Sequence, residues 1–195
     1  MVAYREGGPN NAPAVNEGGP GLLVWGRITD AGVVLEPAFR LTSTAGRAPS
    51  PGGNRLELLA ADGSILRTVR FDADAVADLP SGTERHFAFV IPLDPALERD
   101  LSGLRVRAGI RTAARVATLA TADPSLTMTR ANSQQVDVRW DAARYPMVMV
   151  RDAVSGDILS FARGGSARLW APGSNFVLHF SDGVKSVVRQ GRILQ

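Results

Sequence analysis

The feature that most constrains the fold is a change of hydrophobic pattern within residues 135–165. Apolar and polar residues alternate over Val136–Trp140, which is the two-residue period of a half-buried β-strand. Met147–Val150 is apolar throughout, and this predicts a strand that is buried on both faces. Ser155–Asp157 has the composition of a turn, and Ile158–Ala162 predicts a returning strand. Antiparallel β-sandwiches are built from this order of strands, loops and tight turns.

Similar signals recur along the rest of the chain. Apolar residues alternate with arginine or glycine over Leu104–Arg111, which predicts one strand with a buried and a solvent face. Asp62-Gly63 and Asp182-Gly183 each lie between apolar runs and predict β-hairpins. Pro37 predicts a bulge or an edge position within a second strand, and Asp94–Leu101 predicts one short helix. The fold class predicted is all-β, with two immunoglobulin- or fibronectin-like antiparallel sandwiches in tandem.

The amino-acid composition indicates where the two sandwiches begin and end. Residues 1–20 are rich in Gly, Pro and Asn without periodicity, which predicts a linker or an extended tail. The first sandwich is expected over residues 21–121, and Ala120–Pro124 is the expected boundary. The second and smaller sandwich is expected over residues 125–195, where about seven short strands fit into about 70 residues.

Charge and composition exclude several classes of function. No apolar run approaches the 18 residues typical of a membrane span, and residues 1–20 contain no apolar signal-peptide core. The absence of cysteine removes disulfides and thiolate chemistry. The net charge is +3 with 22 basic residues, of which only Lys185 is lysine, so 22 − 1 = 21 are arginines. Because the arginines are spread along the chain, no nucleic-acid partner is expected.

Four segments together resemble a bacterial pattern: VWGRI at Val24–Ile28, VLEPAFRLT at Val34–Thr42, ERHFAFVIPLD at Glu84–Asp94, and RYPMVMVRDAVSGDILSFARGG at Arg144–Gly165. The pattern is similar to the tandem β-sandwich region that follows the catalytic domain in secreted, metzincin-like zinc-peptidase homologues. The resemblance implies an exported appendage whose partner is a peptidase-like domain upstream in the same polypeptide. The family's HExxH signature does not occur in this sequence, so the resemblance carries over no catalytic residue.

The residues themselves predict neither a metal site nor an active site. His86 and His179 lie about ninety residues apart in different strand patterns, and a zinc site would need three or four converging ligands. There is no GxSxG motif that would mark a serine nucleophile. Asp72, Asp74 and Asp78 could offer oxygen ligands to calcium, but a solvated acidic loop is the preferred interpretation. No cofactor is expected.

Carbohydrate binding is the main alternative, because glycan modules stack sugar rings on exposed aromatic side chains. Trp25, Trp140, Tyr145 and Trp170 are available. Trp140 ends an alternating apolar face and is expected in a core. Trp170 follows Leu169 in an alternating pattern and stands near Pro172, so it is the tryptophan expected to be exposed and the candidate ligand-binding residue.

The arginines admit two interpretations. Solvated sheet faces and ion pairs at their rims account for most of them, whereas one face could instead dock a partner catalytic domain or an acidic ligand. The residues concerned are Arg105, Arg107 and Arg111 on one predicted strand, and Arg139, Arg151, Arg163 and Arg168 around the second sandwich.

The function predicted from the sequence is therefore a non-catalytic accessory or interaction module of a secreted or cell-surface, peptidase-like protein. It would space, stabilise or target that protein, with a cell-surface or extracellular polymer as a second possible partner. The alternative is a glycan-binding module that uses Trp170.

Overall fold

The computed structural model describes residues 19–43, 49–75, 84–118, 124–132, 134–170 and 175–192. Antiparallel strands form 64% of this part of the chain and helix only 4%, which confirms the predicted all-β class. The strands form four sheets, here numbered I to IV. No helix in the described ranges is long and apolar enough to cross a membrane.

Sheets I and II are formed by the N-terminal part of the chain, here meaning the described residues from 19 to 118. Sheet I has the order β2-β1-β7-β6, and β3 also pairs with β1; sheet II has the order β5-β4-β8-β9. Helix α1 (Pro95–Asp100) connects β7 to β8. The strand bounds are β1 (Gly19–Thr29), β2 (Gly32–Leu35), β3 (Phe39–Ser43), β4 (Asn54–Leu59), β5 (Ile65–Phe71), β6 (Asp74–Ala75), β7 (Arg85–Pro92), β8 (Gly103–Ala108) and β9 (Arg111–Val116).

Sheets III and IV are formed by the C-terminal part of the chain, meaning the described residues from 124 to 192. Sheet III has the order β10-β11-β14, and sheet IV has the order β13-β12-β15-β16. The strand bounds are β10 (Leu126–Arg130), β11 (Gln135–Trp140), β12 (Met147–Asp152), β13 (Ile158–Arg163), β14 (Ser166–Trp170), β15 (Asn175–Ser181) and β16 (Ser186–Arg192).

Each pair of sheets encloses a hydrophobic core. The first core lies between sheets I and II, where Leu22 and Val24 of β1 meet Leu56 and Leu58 of β4. The second core lies between sheets III and IV and contains, among others, Val136, Val138 and Trp140 of β11 with Val148, Val150, Phe176, Leu178 and Phe180. Because successive side chains of a strand point to opposite faces, every second residue of these strands points into the enclosed core.

A third cluster, the middle core, joins the two parts of the chain. It consists of Phe39 and Leu41 of β3 with Met147 and Met149 of β12, and Leu23, Trp25 and Val90 pack against it. These side chains alternate with those of the first and second cores along β1 and β12. Sheets I and IV therefore each face one core on either side, and the sheets are stacked in the order II, I, IV, III.

At Pro37, where the sequence predicts a bulge or an edge position within one strand, the structure has a full break between two strands. The strand that pairs with β1 stops at Leu35 and resumes at Phe39, so that β2 and β3 lie along the same edge of β1. Proline lacks a backbone donor, which explains why the ladder breaks there. The break also changes the environment of the strand: Phe39 and Leu41 beyond it contribute to the middle core.

Three details of the sequence prediction are wrong or incomplete. The alternation over Leu104–Arg111 is not one strand, because Gly109 has a φ of 60° and turns the chain between β8 and β9. Ile110 stands at this turn fully exposed, with a relative accessibility of 102%. Strand β10 is not among the predicted elements, and β1 begins at Gly19 within the expected linker.

We expect Met149→Ala to lower the free energy of unfolding by about 2–5 kcal/mol, because it removes a fully buried side chain from a packed core. Leu159→Ala on the neighbouring strand is the control, since Leu159 is 43% exposed, and its effect should stay within about 0.5 kcal/mol. Denaturant unfolding followed by tryptophan fluorescence measures both variants.

A double-mutant cycle tests whether this loss of free energy of unfolding arises at the contact between the two parts of the chain. Phe39→Ala and Met149→Ala should couple by about 0.5–3 kcal/mol, as expected for side chains in one cluster. Strict additivity of the two substitutions would contradict the middle core.

Candidate functional site

The junction between the two parts is held by backbone as well as by apolar contacts. Ala38, in the break between β2 and β3, donates its N–H to the Gly183 carbonyl at 3.0 Å. Its carbonyl accepts from the Ser181 hydroxyl at 2.6 Å. The Arg40 N–H donates to Ser186 Oγ at 3.0 Å. The turn between β15 and β16 thereby satisfies backbone groups that the interrupted strand leaves without a ladder partner.

The same turn also enters the first core. Val184 is fully buried and packs among the side chains between sheets I and II, although it belongs to the C-terminal part. Asp182 shapes the turn, because its Oδ1 accepts the N–H groups of Val184 and Lys185 at 2.9 and 2.7 Å. Val184 thus completes the core of the N-terminal part. It follows Ala117, the last residue that the N-terminal part itself contributes to this core, by more than 60 residues.

An ion pair borders the middle core. Glu36 is 6% exposed, and its carboxylate contacts the Arg163 guanidinium at 2.9 Å. Arg115 donates from Nε to the Leu35 carbonyl at 2.6 Å. Burial lowers the pKa of Arg115, while the nearby Glu36 carboxylate opposes this shift. Removing the Arg163 guanidinium, which is 58% exposed, would leave the buried Glu36 carboxylate without this partner.

A small cleft opens between the two parts, next to α1. It has a volume of about 180 Å³, with an apolar floor and a charged rim. The rim contains an ion pair between Arg40 Nε and Glu98 Oε1 at 2.6 Å. Typical ligand pockets measure about 300–1,000 Å³, so this cleft suits a short side chain or ordered water. The lining residues are Leu22, Arg40, Leu93, Glu98, Leu101, Val184, Lys185 and Ser186.

Helix α1 holds Glu98 at this rim. Asp94 caps the helix, since its Oδ1 accepts the Leu97 N–H at 2.8 Å, and Pro95 occupies the first turn. This hydrogen bond, together with the Arg67 guanidinium, lowers the pKa of Asp94. Leu97 is buried in the first core and anchors the helix there.

His179 is a buried titratable group at the junction. It lies on β15 and is 6% exposed, and its Nδ1 has no hydrogen-bond partner in the described part of the chain. Burial lowers its pKa to about 4, and repulsion from Arg151 adds to the shift. A hydrogen bond with the Arg40 backbone of β3 partly opposes it. His179 is therefore neutral at physiological pH.

The histidines have different surroundings. His86 is exposed on β7 and contacts the Glu84 carboxylate at 2.7 Å, whereas His179 is enclosed at the junction. Within the described ranges no three or more His, Cys, Asp or Glu side chains are grouped so that they could hold a metal ion. Asp72 pairs with Arg85 at 3.7 Å, and Asp78 lies outside the described residues.

Of the aromatic residues considered for glycan binding, Trp170 is the most exposed, at 61%. It stands at the end of β14 on the outer face of sheet III, directly opposite Gln135 in the pairing with β11. Arg168, two residues earlier on the same face, forms a bidentate pair with Asp137 at 2.8 and 3.0 Å. A flat aromatic surface is thus flanked by hydrogen-bonding side chains.

The other aromatic candidates serve the packing. Trp140 is 7% exposed and donates from Nε1 to the Tyr145 carbonyl at 2.8 Å. Tyr145 is itself buried, with its ring 5.8 Å from that of Phe180. Trp25 donates to the Pro37 carbonyl at 3.0 Å, and its ring lies 5.0 Å from that of Phe161 across the junction.

The arginines singled out in the sequence do not share one surface. Arg105 and Arg107 lie on the outer face of sheet II, where both contact Glu57. Arg111 instead donates to the Thr29 carbonyl at 2.8 Å, and Arg151 donates to the Gly156 carbonyl at 2.7 Å. The partner Glu57 is not among the residues predicted from the sequence, although its place two residues from Arg55 in an alternating strand indicates that the two side chains share a face.

These features define an all-β protein of stacked antiparallel sheets with a closely packed junction. Comparisons with models of known protein families, with curated proteins and with solved structures found no match to this chain.

We expect the stability of the protein to fall as the pH decreases from about 6.5 towards about 4, because the unfolded chain protonates His179 in this window and the folded chain does not. One such group contributes a slope of at most about 1.4 kcal/mol per pH unit. The free energy of unfolding at pH 7 and at pH 5 measures this loss.

His179→Gln should lose less stability than the wild type between these two pH values. His86→Gln is the matched control, because His86 is exposed and is the chain's other histidine. If all three proteins lose the same stability on acidification, carboxylate protonation accounts for the effect and the assignment to His179 is wrong.

Proposed function

We propose that this chain is a non-catalytic accessory module of a secreted or cell-surface peptidase-like protein, built from two tandem immunoglobulin- or fibronectin-like sandwiches. The observation that carries this proposal is the middle core, in which Phe39 and Leu41 pack on Met147 and Met149. A chain whose two parts share a core holds a defined spacing and orientation between its ends. That property suits a spacer or a stabilising domain.

The positions of the resembling segments support the same proposal. Val24–Ile28 lies in β1, Glu84–Asp94 contains β7, and Arg144–Gly165 contains β12 and β13. These strands supply the first, second and middle cores, so the likeness to peptidase-associated regions rests on scaffold residues. Such a likeness fits a shared architectural role better than a shared reaction.

The partner in this proposal is the peptidase-like region of the same polypeptide, and the module contacts it through loops, sheet edges or outer sheet faces. The module requires no cofactor and acts by association. Its place is outside the cytoplasm, in keeping with the exported proteins that the sequence resembles.

The proposal predicts association when the upstream peptidase-like region is produced separately and mixed with this chain. The two should co-elute in size-exclusion chromatography, and the melting temperature of the peptidase-like region should rise. At a hundredfold excess over Kd the stabilisation would be about 2.7 kcal/mol. Separate elution together with an unchanged melting temperature and unchanged peptidase activity would refute the proposal.

Glycan binding is the second candidate, and the exposure of Trp170 on the outer face of sheet III favours it. Gln135 lies beside the indole, and the Asp137–Arg168 pair lies two residues further along the face. A sugar ring could stack on the indole while its hydroxyls bond to these polar groups.

We expect a neutral polysaccharide recognised in this way to shift the tryptophan emission of the wild type. Trp170→Ala should bind it at least tenfold more weakly, equivalent to about 1.4 kcal/mol. Val154→Ala is the control, because Val154 is an apolar side chain that is 89% exposed at a different turn. If no polysaccharide in a panel changes the emission of the wild type, Trp170 has no such role.

A further inference from the structure

The outer face of sheet II carries a row of arginines in cross-strand register. Arg70 of β5 lies opposite Arg55 of β4, and Arg55 in turn lies opposite Arg107 of β8. Neighbouring strands are about 4.8 Å apart, so the three positions span about 10 Å in a line. Like charges directly opposite each other destabilise a sheet.

The next row of the same face contains the only carboxylate that faces outwards among the described residues of β4, β5, β8 and β9. Glu57 lies opposite Arg105 and is 7% exposed. It contacts Arg105 Nε at 2.5 Å and Arg107 Nε at 3.2 Å. Both bonds use Nε, so they orient the two guanidinium groups while leaving the terminal nitrogens of each group for other acceptors.

The face is therefore strongly cationic. Four arginines and one glutamate give it a formal charge of 4 − 1 = +3, which equals the net charge of the whole chain. Arg55 and Arg70 are exposed and make no ion pair within the described ranges. This outer face, here called the arginine face, thus collects the two guanidinium groups oriented by Glu57 and two that make no ion pair with the described residues.

We propose that the arginine face binds an anionic polysaccharide through the carboxylate or sulfate groups of successive sugar units. Guanidinium groups present planar pairs of donors that match such anions. A linear polyanion laid across the strands would meet Arg70, Arg55 and Arg107 in turn and relieve their mutual repulsion. This gives the targeting role in the proposed function a class of partner.

The neighbours of the row favour a polysaccharide over a protein or a nucleic acid. Thr68 and Thr112 also face outwards, and their hydroxyls can bond to sugars. Hot spots of protein interfaces are enriched in tryptophan and tyrosine, and single-stranded nucleic acids stack on exposed aromatic rings. No aromatic side chain stands on the outward face of β4, β5, β8 or β9 within their described bounds.

The test is fluorescence anisotropy of the full chain with labelled heparin, a sulfated and uronate-containing polysaccharide, at low salt. We expect Arg55→Gln with Arg70→Gln to weaken binding at least tenfold and to reduce its dependence on salt concentration. Both side chains are exposed and face like charges, so the double variant should melt no lower than the wild type.

The matched control removes the same charge from another surface. Arg139→Gln with Arg144→Gln takes two exposed arginines from sheet III and the turn after it, and should change the affinity less than twofold. An equal loss in both double variants would show diffuse attraction and overturn the proposal. So would the absence of heparin binding, or equally tight binding of polyglutamate or a single-stranded oligonucleotide of the same charge. None of these results bears on association with the peptidase-like region.

Discussion

Strand β12 cannot be stable unless apolar groups cover it on both sides. Its Val148 and Val150 face the second core, and Met147 and Met149 face the opposite way. In an antiparallel sheet one face is commonly left to solvent, where exposed methionines would lose the free energy gained by burial. The face of sheet I that is turned towards sheet IV is apolar as well, so the two faces bury each other's side chains. The junction is therefore a consequence of strand composition.

Backbone hydrogen bonds fix the position of the two parts of the chain relative to each other at this junction. Apolar faces alone allow sliding, because methionine and leucine pack in many arrangements. The break at Pro37 presents the N–H and carbonyl of Ala38, and Gly183 and Ser181 satisfy both. Val184, in the same turn, fills a place in the first core. The proline that weakens the strand thus creates the contacts that fix the position of the C-terminal part.

Local patterns in the sequence were sufficient to predict most strands and the hairpins at Asp62-Gly63 and Asp182-Gly183. These signals depend on residues that are close together in the sequence, so the sequence alone is sufficient to recognise them. The turn at Gly109 was missed because alternation continues through it, and only the positive φ separates β8 from β9. The apolar run Met147–Val150 predicted burial on both faces, but it could not identify the residues that cover the second face.

The candidate sites were less predictable, because they depend on which strands become neighbours. The exposure of Trp170 followed from its place in the alternation. The alignment of Arg70, Arg55 and Arg107 requires the order β5-β4-β8, which brings together residues more than 50 positions apart. Similarly, Arg105 and Glu57 become partners only through this pairing. Such contacts cannot be predicted from the spacing of residues in the sequence alone.

The stacking order determines which sheet faces remain available for binding. The inner faces of all four sheets line the first and second cores, and the second faces of sheets I and IV are occupied in part by the middle core. The outer faces of sheets II and III lie at opposite ends of the stack, one with the arginine row and the other with Trp170. Because the middle core lies between them, a ligand at one face and a ligand at the other would be held apart by four layers of sheet. Sheets pack about 10 Å apart, so this separation is about 30 Å between the outermost layers.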